Sequence, residues 1–455
     1  MRTAASVRRD RPAAGRAPRR RRAAARWRRR LAGASAAAVL ASVLAACGGS
    51  GGTGTPTLTW YVNPDSGGQA EIAKRCTAAA DGRYRLTTTT LPRDAPAQRE
   101  QLVRRLAAQD SSIDLMSLDP PTIPEFSQAG FLAPVPADVA QRVSSGVVQS
   151  ALDGATWDGR LVTVPFWANT QLLWYRKSVA QAAGLDMSKP VTWDQIVQAA
   201  DSQGKLVGAQ GIRSESLTVW LNALIEGAGG SIIADNSTDP DRIELGLTSD
   251  AGQRAAQVMR EVGRSKAAGP AFSTANEDSS ATGFEGPDAG FMVNWPFVWP
   301  RANTAVTGGT LDASVPADYG WALYPQTDAD KPSAPPYGGI NLGVGAYGKH
   351  TGLAYAAAEC ITTDENQAYY FVSNGNPASS TAVYDDPEVI EQFPMAPTIR
   401  QSLEQAAPRP QTAYYNEVSG GIQREYHPPA SVDPQGTPQK ATDLITAVLR
   451  GDQLL

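Results

Sequence analysis

The first 46 residues decide where the rest of this chain can fold. Thirteen arginines and one acid, Asp10, crowd the stretch, and its charged part ends at Arg30. An apolar run from Leu31 to Ala46 follows, too short to span a bilayer comfortably, and it closes on Leu44-Ala45-Ala46 ahead of Cys47. A basic region, a short apolar region and small residues before a cleavage point make an export signal, so the folded part begins after residue 46. Losing that segment changes the charge. The whole chain holds 41 basic and 45 acidic residues, and without residues 1–46 the balance is 28 against 44, a net charge of −16. No nucleic-acid partner is expected of a chain this acidic, and a neutral or cationic small molecule suits it better than a polyanion.

The same segment resembles a bacterial lipoprotein signal. That resemblance implies acylation of Cys47, a flexible tether over residues 47–56, and an extracytoplasmic protein touching the cell membrane through its acylated N-terminus only. The alternative is an uncleaved anchor helix with an incidental cysteine. About 400 residues remain, more than one core usually holds, so two lobes are expected. Cys76 and Cys360 form an even pair in an exported chain, either bonded to each other or buried as free thiols. His350 and His427 lack ligand-spaced partners, and neither metal nor cofactor is expected.

The order of elements is that of an α/β protein. Strands are predicted over Leu58–Val62, Tyr84–Leu91, Ile113–Leu118, Leu161–Phe166, Leu172–Tyr175, Ala289–Asn294 and Trp321–Tyr324. Helical spacing covers Ala97–Ala108, Leu217–Glu226 and Asp250–Arg264, and Thr192-Trp193-Asp194-Gln195 reads as a capping box. Residues 273–288 are polar with little periodicity and read as a long loop leading to Trp295. Beyond the run Pro332–Pro336 the chain is mainly helical, over Thr351–Thr362, Glu365–Ser373, Pro387–Ala406, Asn416–Glu425 and Pro438–Arg450.

Several segments, taken in order, resemble the carbohydrate-binding solute-binding proteins of ABC importers. They are Val164-Pro165-Phe166 with Leu172-Leu173-Trp174-Tyr175-Arg176-Lys177, then Pro190-Val191-Thr192-Trp193-Asp194-Gln195, Ala289-Gly290-Phe291-Met292, Tyr337-Gly338-Gly339-Ile340-Asn341-Leu342-Gly343-Val344 and Thr363-Asp364-Glu365-Asn366-Gln367. Within that group Trp60-Tyr61-Val62-Asn63-Pro64-Asp65, Ser117-Leu118-Asp119-Pro120-Pro121 and Arg424-Glu425-Tyr426-His427-Pro428-Pro429 are most similar to mycobacterial trehalose-binding lipoproteins. The resemblance implies a two-lobed periplasmic-binding-protein-like α/β fold with crossing hinge strands and a mainly helical C-terminal region. Residues 57–166 and 337–378 would form lobe one, and residues 170–335 and 383–455 lobe two. It also implies a monomer without enzymatic turnover, a neutral sugar as ligand and ABC permease subunits as partners.

A neutral sugar needs flat apolar surfaces for its C–H faces and planar polar groups for neighbouring hydroxyls. Trp295, Trp167 and Tyr337 are candidate platforms. Asn63, Asp65, Asp119, Asn169, Glu277, Asn341 and Arg424 are candidate hydrogen-bonding groups, and Gly339, near a predicted crossing, is a candidate ligand-binding residue with them. The plainer readings stand next to these: Asn63, Asp65 and Asp119 border prolines and glycines and could shape turns, and Trp167 could be hinge packing. Gly343-Val344-Gly345-Ala346-Tyr347-Gly348 has dinucleotide-loop spacing but sits late in the chain, and reads as a strand and turn. The rival function is an exported glycoside hydrolase using Glu277 with Glu285 or Asp288, or Asp65 with Asp119, as its acid and base.

Overall fold

The computed structural model describes residues 54–455, so the export signal, Cys47 and most of the tether lie outside the described residues. Thirteen strands run in chain order: β1 Thr57–Val62, β2 Arg85–Thr90, β3 Leu115–Leu118, β4 Thr156–Trp157, β5 Arg160–Leu161, β6 Val164–Thr170, β7 Leu172–Arg176, β8 Leu206–Gly208, β9 Ile233–Asp235, β10 Glu244–Leu245, β11 Ala289–Asn294, β12 Tyr319–Ala322 and β13 Tyr337–Val344. They build two main sheets, ordered β2-β1-β3-β13-β6 and β12-β7-β11-β8, plus the hairpins β4-β5 and β9-β10. In the first sheet β1, β2 and β3 are mutually parallel, and β13 runs antiparallel to both β3 and β6. In the second, β7 is antiparallel to β11 and β12, while β8 is parallel to β11.

Two-residue alternation assigns the strands to their cores. Leu58, Trp60 and Val62 of β1 pack with Ile72, Phe166, Leu342 and Tyr370, whereas the intervening Tyr61 faces Leu102, Leu106 and Phe126 on the other side of the sheet. Leu173, Phe291 and Val293 likewise join a second lobe's core around Trp193, Trp220, Val258 and Ile422. Their neighbours Leu172, Trp174 and Met292 turn to a third cluster, with Ala168, Tyr337, Phe371 and Phe393, where the two sheets meet. The molecule is therefore two α/β lobes sharing an apolar junction. Cys76 and Cys360 are bonded inside the first lobe, with Cα atoms 5.8 Å apart across 284 residues of sequence.

Three segments cross between the lobes. β6 of the first sheet passes into β7 of the second through Gln171 alone. The chain returns after β12 through residues 323–336 into β13, and leaves again through residues 375–381. The first and last of these passages lie against each other, with Ala168 N–H donating to Pro377 O (3.0 Å), and the second is tied at its end, where Tyr337 N–H donates to Ala407 O (2.9 Å). At Gly339 φ is +116°, and a Cβ there would lie 2.2 Å from Trp167 O, so only glycine lets β13 come this close to β6.

Three predicted segments differ, the first in that Leu161 belongs to β5 and Val164–Phe166 to β6. Residues 273–288 are not a loop: Glu277–Glu285 is a helix with a reciprocal Asn276–Ser279 cap, burying Ser280, Ala281 and Phe284. Its buried face carries two small residues and one aromatic, too little for an apolar period to show. The predicted helix Pro387–Ala406 is two helices, Pro387–Gln392 and Ala396–Gln405, parted at Phe393-Pro394 because proline cannot continue the first.

Candidate ligand-binding cleft

The parallel strands β1 and β3 end side by side, so the turns that follow them, at Asn63 and Asp119, open on one edge of the first sheet. The crevice beyond the carboxyl ends of parallel strands is where open α/β sheets receive ligands. Asp119 is held there by Pro120 and Pro121, which stop β3 and begin a short 3-10 turn.

Across from Asp119 stands Arg409, between Pro408 and Pro410 on the segment that joins the helices Ala396–Gln405 and Tyr415–Glu425. One guanidinium nitrogen, Nη2, donates to Asp119 Oδ1 at 2.5 Å, and Nη1 donates to Glu215 Oε1 at 2.8 Å. Glu215 is the first residue of the helix Glu215–Gly227, where the free N–H groups and the helix dipole favour a carboxylate. It also accepts from the Tyr415 hydroxyl and from Ser419 Oγ (2.7 Å). Arg409 is 6% exposed. Burial works against its charge, but Asp119, Tyr415 and Glu215 outweigh that and hold the guanidinium pKa well above its ordinary range. Burial, and then Glu215, push the Tyr415 hydroxyl up, so it remains a donor.

A second run of contacts continues from the same helix start. Ser216 Oγ donates to Glu277 Oε1 at 2.6 Å, and Glu277 opens the helix Glu277–Glu285. The Glu277 carbonyl accepts from Asn294 Nδ2 (2.9 Å), and Asn294 Oδ1 accepts from Trp295 N–H (2.9 Å). The Trp295 ring reaches over β13: it lies 3.0 Å from where a Cβ on Gly338 would sit, and Asn169 Cβ is 3.9 Å from that point. Tyr337, one residue before, is buried with an unpartnered hydroxyl. Burial, and then the charge of Asp119, raise its pKa.

Asp119, Asn169, Glu277, Trp295 and Tyr337 are thus gathered along two linked runs. Asn63 lies at the neighbouring strand end, donating from Nδ2 to Gln98 Oε1 (2.7 Å) and leaving its buried Oδ1 unpartnered. Asp65 is exposed, and its oxygens accept from Gly67 N–H (2.9 Å) and Gln69 N–H (2.8 Å), which is the turn-shaping role. Gly339 serves the strand crossing, and Asn341 donates from the middle of β13 to Gly154 O (3.0 Å), fastening the helix Gln149–Gly154. Trp167 packs beside Tyr370 with its ring tilted, centroids 6.4 Å apart.

Arg424 is not brought to this cluster. It lies in the last turn of the helix Tyr415–Glu425, 42% exposed and 3.7 Å from Glu425, about 13 Å along the axis from Tyr415. Arg409 occupies the place that sequence reasoning gave to Arg424. Its signal was an arginine between two prolines, a rigid extended presentation of one side chain. Glu215 and Ser216 had a signal too, because helix N-termini collect polar contacts.

Three carboxylates of the rival acid–base pairs have other partners. Asp65 accepts from the Gly67 and Gln69 N–H groups, Asp119 is bound to Arg409, and Glu285 is paired with Arg301 at 2.8 Å. Among the described residues no cluster of His, Cys, Asp or Glu could hold a metal, and no helix is long and apolar enough to cross a membrane.

The profile of the bacterial extracellular solute-binding protein family matches residues 84–368. A probable ABC transporter-binding protein of Deinococcus radiodurans is 26% identical over 388 residues, covering 80% of this chain and 86% of its own. Among solved structures, maltose-bound T. maritima MalE3 is similar at 25% identity with a TM-score of 0.71, over 88% of this chain and 100% of that one. The sugar-binding protein MalE of Xanthomonas citri has the same fold, with a TM-score of 0.73 at 16% identity over 87% of this chain and 98% of its own.

Proposed function

Because the chain belongs to the bacterial extracellular solute-binding proteins, a family of binding proteins rather than enzymes, we propose that it captures a neutral disaccharide for an ABC importer. The ligand in this reading is trehalose or a close α-linked analogue, and the bound form is handed to the permease subunits. One observation carries the neutral-ligand reading: Arg409 is already countered by a carboxylate from each lobe. An anion arriving at that cluster meets a net negative site, whereas a polyol can bond the remaining lone pairs and N–H groups, and Trp295 offers a flat face for ring C–H groups. The likeness to T. maritima MalE3, solved with maltose, supports a sugar of two rings. The similarity of residues 60–65 and 117–121 to trehalose-binding lipoproteins supports trehalose among them.

Closure is the working step. The open form exposes the cleft, the sugar bridges groups of both lobes, and the closed form is what the permease recognises. In this reading residues 57–166 with 337–378 move against residues 170–335 with 383–455 as a monomer. Acylated Cys47 and the tether over residues 47–56 keep the protein at the outer face of the cell membrane.

Calorimetric titration of the mature protein with disaccharides, longer glucans and polyols tests the ligand. Saturable trehalose binding with the sugar recovered intact is expected; a response to longer glucans only would remove the disaccharide, and released glucose would remove the binding-only reading. The anchor has its own test: Cys47→Ala should abolish labelling by radioactive fatty acid, and undiminished labelling would refute it.

A further inference from the structure

A second contact between the lobes lies beside the cluster just described. Arg99, on the helix Ala95–Ala107, is held bidentately by Glu125 of the helix Ile123–Gln128, with Nε–Oε2 and Nη2–Oε1 both 2.5 Å. Both helices belong to the first lobe, where Leu102, Leu106 and Phe126 share one core. With the Asn416 amide turned so that its oxygen faces the guanidinium, that oxygen accepts from Arg99 Nη1 at 2.8 Å and from Nε at 3.1 Å. Asn416 is the second residue of the helix Tyr415–Glu425, whose Val418 and Ile422 sit in the core of the second lobe. The pair therefore ties one lobe to the other.

We propose that Arg99 and Asn416 form a latch that holds the lobes together and sets how long the ligand stays. Glu125 fixes the guanidinium in advance, so at this contact opening the lobes breaks only the bonds to Asn416 and leaves Arg99 paired. A neutral acceptor facing an already paired arginine gives a bond weak enough to be reversible. The latch also sits next to the cleft on both sides. Gln98, adjacent to Arg99, receives Asn63 Nδ2, and Tyr415, adjacent to Asn416, donates to Glu215. A ligand that orders Asn63 on one lobe and the Arg409–Glu215–Tyr415 group on the other thereby brings residues 99 and 416 into register. The latch rests on the lobes closing, not on which sugar they close upon.

The test follows lobe separation and ligand release in the full mature protein. Fluorescent labels at Lys74→Cys and Lys440→Cys, both exposed and one on each lobe, report the separation by single-molecule energy transfer. Asn416→Ala is expected to enlarge the open population with and without trehalose. It should raise the trehalose dissociation rate about fivefold with the association rate little changed, the size expected for one hydrogen bond. Arg99→Gln combined with Asn416→Ala should add almost nothing to either single change. Unchanged separation in Asn416→Ala, or independent effects in the double variant, would overturn the latch. Should no sugar bind, the disaccharide reading fails, while the ligand-free separation still decides the latch.

Discussion

The two lobes contribute to the candidate cleft by different means. The first lobe presents turns at the carboxyl ends of parallel strands, Asn63 after β1 and Asp119 after β3. The second presents the first turns of helices, with Glu215, Ser216 and Glu277 at two helix starts and Tyr415 at a third. Arg409 belongs to neither pattern, and its proline-bounded segment places it between them. In the turn after β1, Asp65 is held by its own local bonds, while Asn63 and Asp119 meet Gln98 and Arg409. Helix starts hold their side chains through contacts between elements, so the second half of the cleft can be broken by a single change elsewhere.

The sharpest way to break this contrast is at the residue joining the halves. Arg409→Ala leaves Asp119 and Glu215 facing each other without their cation. It should abolish measurable sugar binding and cost about 3–5 kcal/mol of stability by denaturant unfolding, the usual penalty for breaking a buried pair from one side. Retained affinity would remove Arg409 from the site.

Next in size is the Cys76–Cys360 bond, which lies wholly inside the first lobe. Replacing both cysteines by serine should lower stability by roughly 2–5 kcal/mol while sugar affinity stays within about twofold, because the bond closes a long loop and both cysteines pack in the first lobe's core. An equal loss of affinity would show that the lobes are not energetically separate.

Within the second lobe, Glu277→Ala and Trp295→Ala should each weaken binding by roughly 1–3 kcal/mol, one to two decades in Kd by titration, with circular dichroism unchanged. The first removes an acceptor for hydroxyls, the second the flat face. Wild-type affinity in both would move the cleft elsewhere.

Glu226, at the far end of the helix that Glu215 begins, gives a smaller effect that depends on pH. Burial pushes its carboxyl up to about 7, so the folded protein favours the protonated form. Its stability contribution is complete below the ordinary carboxyl range near 4.5 and is lost as pH rises through about 7. Glu226→Gln should flatten that decline and stabilise the protein at pH 8 by about 1–3 kcal/mol, read from thermal unfolding across pH. A slope unaltered by the substitution would place the titrating group elsewhere. Smallest of all, Arg424→Ala should leave affinity within about twofold, as suits an exposed ion pair.

What was legible follows the same division. The strands around Trp60, Met116, Phe166 and Phe291 carry dense apolar runs, so their existence was plain from sequence, and the family resemblance supplied their two-lobed arrangement. The helix Glu277–Glu285 was not legible, since its buried face is Ser280, Ala281 and Phe284 and its stability comes from a cap and from packing on β11. Arg409 was not legible for a related reason. Periodicity shows which side of a helix is apolar, but not which of two arginines on one stretch of chain will meet carboxylates distant in sequence. Asp65 could be read either as a ligand or as a turn former, and only the geometry of Gly67 and Gln69 separates those roles.

The passage from β6 to β7 through a single buried residue, Gln171, bears on all of these contacts. With one residue between two strands locked in different sheets, that strand cannot lengthen to let the lobes drift apart; they can only pivot about it, as a lever turns on its fulcrum. Contacts close to the pivot, such as Trp295 over Gly338, then move little during opening, while those farther along the arms sweep through larger arcs. A ligand would be seated first by the near groups and enclosed by the far ones, so the order in which its hydroxyls lose water would be written into the distance of each partner from that one glutamine.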